Sequence, residues 1–351
     1  MFTIRISGWL TGMTLLWLLV STARSGAQQY NLKDLGALSG NSVSKGFALN
    51  NEGQAAGDSS SPTAAIGTLF SGGKVTNIGA PGSSVSVATA INDSGEVAGW
   101  NSFNSATFTP QAFLFSSGST DNITSSSLFP SGAEPAGMNN SGDVVGTGYL
   151  TNANFHAFLY SGGKMTDLGP ANAYQASAVA INNSGQIIGG YYLNSGAAGE
   201  FLFTGGKMTT LPVPAGASAV SAFAINDSGE IAGSIFFASG APAHAAKFAN
   251  GVWTDLGAIS GASSTRATAI NISGQIVGTA FFPQTQYHPP KPGKHVPFLV
   301  ASSGLVNLNS LISPGTGFTL TDAVAINNSG KILCDANNAS GIEHTVLLTP
   351  K

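Results

Sequence analysis

Short apolar runs alternate with clusters of Asn, Asp, Ser and Gly along most of this chain, and helical periodicity is absent. One decapeptide recurs seven times: ALNNEGQAAG (48–57), AINDSGEVAG (90–99), GMNNSGDVVG (137–146), AINNSGQIIG (180–189), AINDSGEIAG (224–233), AINISGQIVG (269–278) and AINNSGKILC (325–334). Its leading Asn stands at 50, 92, 139, 182, 226, 271 and 327. Asn and Asp tolerate left-handed backbone, and Gly supplies positive φ at no steric cost, so each copy predicts a tight β-hairpin. A second hairpin follows, as in AFLY–SGGK–MTDL. Each unit thus predicts four short strands, a to d, with two tight turns and one longer loop.

Seven four-stranded units at this spacing predict an all-β fold, a seven-bladed β-propeller. Two positions of strand a are small in every copy. Two before the Asn stand Ala48, Ala90, Gly137, Ala180, Ala224, Ala269 and Ala325. Four before it stand Gly46, Ala88, Pro135, Ala178, Ala222, Ala267 and Ala323. Small side chains suit the innermost strand, where blades converge. The Gly closing each decapeptide implies close backbone approach on strand b. Cys334 replaces it in the last copy and reads as a small buried residue. The last unit ends in EHTVLLTPK without a strand d, whereas YNLKDLG (30–36) reads as a strand d without a, b or c. Pairing the two predicts a ring closed by the N-terminal strand, which removes exposed sheet edges.

Residues 1–27 read as a signal peptide: Arg5, an apolar stretch from Trp9 to Val20, then Ser25-Gly26-Ala27. The apolar run is too short to span a bilayer, which takes roughly 20 residues. Residues 28–351 are expected to be a single domain, exported to the periplasm, the cell surface or the medium. Of 13 basic residues, Arg5 and Arg24 leave with the leader, so 11 stand against 16 acidic ones. This balance, without any Lys/Arg run, argues against a nucleic-acid partner. One cysteine allows no internal disulfide. No cofactor, no membrane span after cleavage and a monomer are expected.

The residues HAFLYSGGKMTDLG (156–169) together with AINDSGEVAG resemble the HAF-type extracellular repeat of bacteria, with degenerate copies at QAFLF (111–115), EFLF (200–203) and HVPFLV (295–300). The resemblance covers nearly all of the mature chain. It implies an exported bacterial protein and carries no activity or catalytic residues to transfer. Some proteins of this type end in a PEP-CTERM sorting tail; this chain ends in HTVLLTPK, so anchoring by that route is not expected.

Both short turns of each unit fall on one side of the ring. The longer b–c and d–a connections fall on the other, and variable loops on a rigid scaffold are where binding usually resides. A protein or a glycan is the expected partner there. Five residues before each Asn stand Lys45, Val87, Glu134, Ser177, Ser221, Arg266 and Asp322. Around a closed ring Arg266, Asp322 and Lys45 are expected to be neighbours, with Glu134 farther round; Asp58 and Asp335 match each other, each following the decapeptide in adjacent blades. This charged mouth reads as a polar ligand site or as an ion-pair belt that sets blade register. The loop at 281–297 adds Tyr287 and His288 among five prolines, a recognition arm or a stiffened insertion. His156, His244, His295 and His344 read as one repeat position on different blades, unable to share a metal. NDSGE has too few oxygen ligands for calcium, and no metal site is expected. Two other functions remain open: a glycan hydrolase or lyase using mouth carboxylates, or a structural surface component without a discrete ligand.

Overall fold

A computed structural model describes residues 28–351 apart from 62–63, 105–107, 152 and 285–292. The proposed signal peptide lies outside the described residues. Among those described, 28 strands group into seven antiparallel sets of four, and one 3₁₀ turn spans Leu308–Ser310. In unit one, strands a to d are Val43–Leu49, Ala55–Ser61, Ala64–Ser71 and Lys74–Asn77. Units two to six repeat this order in sequence. A single parallel pair, Phe155 with Gln175, joins units three and four into one larger sheet. The seventh set is split: Phe318–Ile326, Ile332–Asn338 and Glu343–Pro350 are completed by Tyr30–Asp34, which runs antiparallel to Glu343–Pro350 from Tyr30 opposite Pro350 to Asp34 opposite Val346.

The core is divided among unit interfaces. Ala56 and Ile78 of unit one pack with Ala88 and Phe113 of unit two. Val145 and Ala157 of unit three pack with Ala178, Ile187 and Phe201 of unit four. Tyr30, Leu320 and Ile332 of unit seven pack with Ala269 and Val277 of unit six. The last interface joins the two chain ends: Leu333 and Val324 of unit seven lie against Ala55 and Phe70 of unit one. The small residues four before each Asn are all buried, as the inner position requires. A Cβ on Gly46 would collide with Thr345 and Leu333 of unit seven.

The expected close approach on strand b is present. A Cβ at Gly57, Gly99, Gly146, Gly189, Gly233 or Gly278 would run into the carbonyl oxygen five residues before the Asn of its own unit. Cys334 holds that place in unit seven and is fully buried, with burial pushing its thiol pKa up. Strand a of that unit has an additional register shift between Leu320 and Asp322, next to the carbonyl that the Cβ would otherwise meet. All seven a strands carry a further shift three residues before the Asn, for example between Ala88 and Ala90. This bulge leaves no mark in the small-residue pattern.

The Asn side chains do more than shape their turns. Asn182 Oδ1 accepts from the N–H groups of Ser184 (3.1 Å) and Gln186 (2.9 Å), while its Nδ2 donates to Gln186 Oε1 (2.7 Å) and to the Asn226 carbonyl of the next unit (2.9 Å). The bond to the following unit recurs from Asn50 to Asn92, Asn139, Asn182, Asn226, Asn271 and Asn327 in turn, and Asn327 donates to the Asn50 carbonyl at 3.0 Å. All seven are buried. The hairpin signature therefore also encodes contacts between units.

Candidate functional site

The seven a–b turns converge on a polar pocket of about 160 Å³, lined by Asn50, Asn182, Asn226, Asn271 and Asn327 and, from units two and three, by Asp93 and Asn140. Beside it a second set of side chains accepts from the preceding turn: Asp93 from the Asn51 N–H (2.9 Å), Asn140 from Asp93 (3.0 Å), Asn183 from Asn140 (2.8 Å) and Asp227 from Asn183 (2.9 Å). Burial pushes the Asp93 pKa up, but hydrogen bonds from the Asn51 backbone and side chain and from Asn140 outweigh it, and the net shift is downward. The polar groups at this end are largely consumed in holding turns together.

The opposite end carries the longer connections and the charged residues singled out above. Lys45 and Asp58 face each other across strands a and b of unit one, and Asp322 faces Asp335 in unit seven. The two pairs meet at the junction of the chain ends. Lys45 lies 3.6 Å from Glu343, and the Asp335 carboxylate accepts the Gly46 N–H at 3.1 Å. Burial pushes the Asp335 pKa up to about 7; Glu343 and Asp322 add to the rise, while the Gly46 N–H and Lys45 oppose it. Asp58, also raised by burial, accepts from Ser60 at 2.6 Å. Burial lowers the Lys45 pKa, but the carboxylates of Glu343, Asp335, Asp322 and Asp58 outweigh it and the net shift is upward.

Arg266, expected beside Asp322 and Lys45, makes other contacts, and Glu134 lies in unit three. Arg266 stacks over the rings of Phe223 (4.9 Å) and Phe281 (5.2 Å), and among the described residues no ion pair joins it to Asp322. Asp322 pairs instead with His295 Nδ1 at 3.1 Å. Glu134 accepts from the Tyr149 hydroxyl at 2.9 Å in unit three, and its pKa is raised by burial. Tyr287 and His288 lie outside the described residues.

The histidines also divide. His156, His244 and His344 each lie within 3.0 Å of an aspartate on strand d: Asp167, Asp255 and Asp34. The third pair joins the two ends of the chain. His295 does not share their repeat position. Strand register sets Phe298 opposite Gly278 as it sets Phe158 opposite Gly146, so Val296 is the counterpart of His156. Displaced by one residue, His295 projects from the other face of its strand and meets the next unit. Among the described residues no three His, Cys, Asp or Glu side chains are grouped so as to hold a metal ion.

A feature absent from the sequence reading lies on the same end, between units four and five. A cleft of about 390 Å³ is lined by Gly190, Tyr192, Glu200, Val213, Ser221 and Phe236 among others. Tyr192 (52% exposed), Val213 (49%) and Phe236 (38%) are exposed large apolar side chains. Gly190 pairs with Glu200 across strands b and c. Burial pushes the Glu200 pKa up to about 7, against the lowering effect of the Ala222 N–H that donates to it. The same inter-unit bond is made differently elsewhere: Thr279 Oγ1 accepts from Ala323 at 3.2 Å, and Asp335 accepts from Gly46. Asp335 thus serves as a strut between units, as Thr279 does. A further aromatic row runs through Trp100, Phe108, Tyr149 and Phe155, with centroids 5.4 to 6.5 Å apart. Phe103 and Phe108 are exposed beside it.

No family model and no curated protein matches this chain. Among solved structures, the β-propeller domain of the Trilobed protease from Pyrococcus furiosus matches with a TM-score of 0.57 at 8% identity, over 89% of this chain and 95% of that one. A puromycin-hydrolyzing peptidase of Mycobacterium tuberculosis matches at 0.56 and 9% identity, over 88% of this chain and 53% of the peptidase. TolB from Acinetobacter baumannii matches at 0.48 and 14% identity; this chain covers 64% of its length. Identities this low speak to shape alone, and among the described residues no helix is long and apolar enough to cross a membrane. The shape is that of a β-propeller.

Proposed function

We propose that this chain is an exported, HAF-type propeller scaffold of seven blades, closed by the N-terminal strand, that binds a protein or a glycan on its variable-loop face. The cyclic run of Asn bonds and the packing of Leu333 against Ala55 and Phe70 support closure. The observation that carries the binding role is the placement of exposed aromatics. Phe103, Phe108, Tyr192 and Phe236 all lie at the end with the longer connections. Large apolar side chains left in water around one face mark interaction surfaces, and rigid aromatic rings dominate recognition of both proteins and sugars.

The test uses the purified 28–351 chain against immobilised cell-envelope proteins and a glycan array. A quadruple variant, F103A/F108A/Y192A/F236A, is expected to lose binding at least tenfold. A V252A/I272A variant at the tight-turn end is expected to keep it. Absence of any saturable binding, or loss caused by the turn-end variant instead, would overturn the reading.

A further inference from the structure

We propose that the cleft between units four and five is a subsite for a neutral pyranose ring of an oligosaccharide. This deepens the reading of the variable-loop face as a binding face and rests on it.

Two coupled departures from the repeat build the cleft. After the decapeptide, the other units carry Asp58, Trp100, Thr147, Ser234, Thr279 and Asp335; unit four carries Gly190. On strand c the counterparts of Glu200 are Gly67, Ala112, Ala157, Ala245, Pro297 and Thr345, by register with strand b. Unit four has therefore lost a wall side chain and gained a carboxylate opposite the gap. Support of the next unit does not require this exchange. In unit six a threonine supplies the bond to the next strand, at 3.2 Å from Thr279 to Ala323. A Cβ on Gly190 would stand 3.5 Å from Glu200 Oε1, an ordinary contact, so the backbone does not demand glycine there either. What the pair of changes produces is space with an acceptor at its edge.

The lining selects the ligand class. A pyranose presents an apolar C–H face and a rim of hydroxyls. Tyr192 and Phe236 offer exposed ring surface for the first. Glu200, Ser218 and Ser221 offer acceptors and donors for the second. No Lys, Arg or His lines the cleft. The lining offers an anionic sugar no counter-charge, and Glu200 repels it wherever ionised, which favours neutral sugars over uronates and sulfated ones.

Isothermal titration of the 28–351 chain with cellohexaose, xylohexaose and chitohexaose tests the proposal, with a galacturonate hexamer as the charged comparison. At least one neutral hexasaccharide is expected to bind saturably, and the galacturonate to bind at least tenfold more weakly. Tyr192→Ala removes a ring that is mostly in water. Gly190→Thr restores the residue type of units three and six and fills the cleft while leaving the bond to Ala222 possible. Each is expected to weaken binding tenfold or more with an unchanged melting temperature, and Val252→Ala, at the exposed tight-turn end, to leave it intact. Neutral-sugar binding that survives both variants, or tighter binding of the galacturonate, overturns the subsite. So does the absence of sugar binding when envelope proteins are still captured through Phe103 and Phe108; the face would then stand without this subsite. If neither sugars nor proteins bind, both readings fall.

Discussion

At the scale of single residues, the buried carboxylate Asp335 links structure to pH. It is 2% exposed and carries a pKa near 7 against an ordinary 3.8. Between those values the folded protein holds a proton that the unfolded chain has released. Stability is therefore expected to fall as pH rises from about 4 to about 7. The ceiling on this contribution is on the order of 4 kcal/mol, from the size of the shift. Asp335→Asn keeps an oxygen for the Gly46 N–H and removes the charge. Its melting temperature should exceed that of the wild type at pH 8 and converge with it near pH 4. Parallel melting profiles of the two proteins across this range would refute the assignment.

Among secondary-structure elements, Tyr30–Asp34 ties the two ends of the chain together. Tyr30 is buried, its N–H donates to the Leu311 carbonyl at 2.8 Å, and Asp34 pairs with His344. Deleting residues 28–36 would leave the edge of Glu343–Pro350 open and uncover Leu320 and Leu348. A loss of about 5 kcal/mol is expected, from the buried Tyr30, the half-buried Leu32 and a row of ladder bonds. Thermal melting of the truncated chain checks this; a melt like that of the full protein would show that the element is a loose tail. The element was legible in advance because YNLKDLG repeats the d-strand phrase out of place. The one-residue displacement of His295 was not. HAF and HVPF look alike as strings, and only the ladder fixes which side chain faces which way.

Across the whole molecule, the Asn bonds couple every unit to the next and the last to the first. An open array of repeats unfolds through nearest-neighbour steps and can lose one end at a time. The closed ring proposed above has no end to fray. Asn182→Ala removes three hydrogen bonds inside its turn and one to unit five, and should cost roughly 2–4 kcal/mol. The loss should lower the midpoint of one transition, with tryptophan fluorescence and far-UV circular dichroism changing together. Separate transitions by the two probes would mean that units three and four open independently of the rest.

The chain by itself determined the strands, the tight turns, the period and the pairing of its two ends. Each follows from local chemistry: Asn and Gly at turns, apolar alternation, small residues on strand a, and a split repeat. It also placed the longer loops on one face, because strand direction alternates within each unit. The repeat register already brought Lys45 and Asp322 toward the junction where Asp58 and Asp335 join them. Tertiary structure alone turned Arg266 away onto Phe223 and Phe281, paired Asp322 with His295 and gave Glu134 the Tyr149 hydroxyl. The Glu200 cleft had a trace in the sequence, Glu where other units have small residues and Gly190 where they have side chains. Its meaning depended on how far apart two units stand and what fills the gap. That is set by packing between sheets, and no local pattern specifies it.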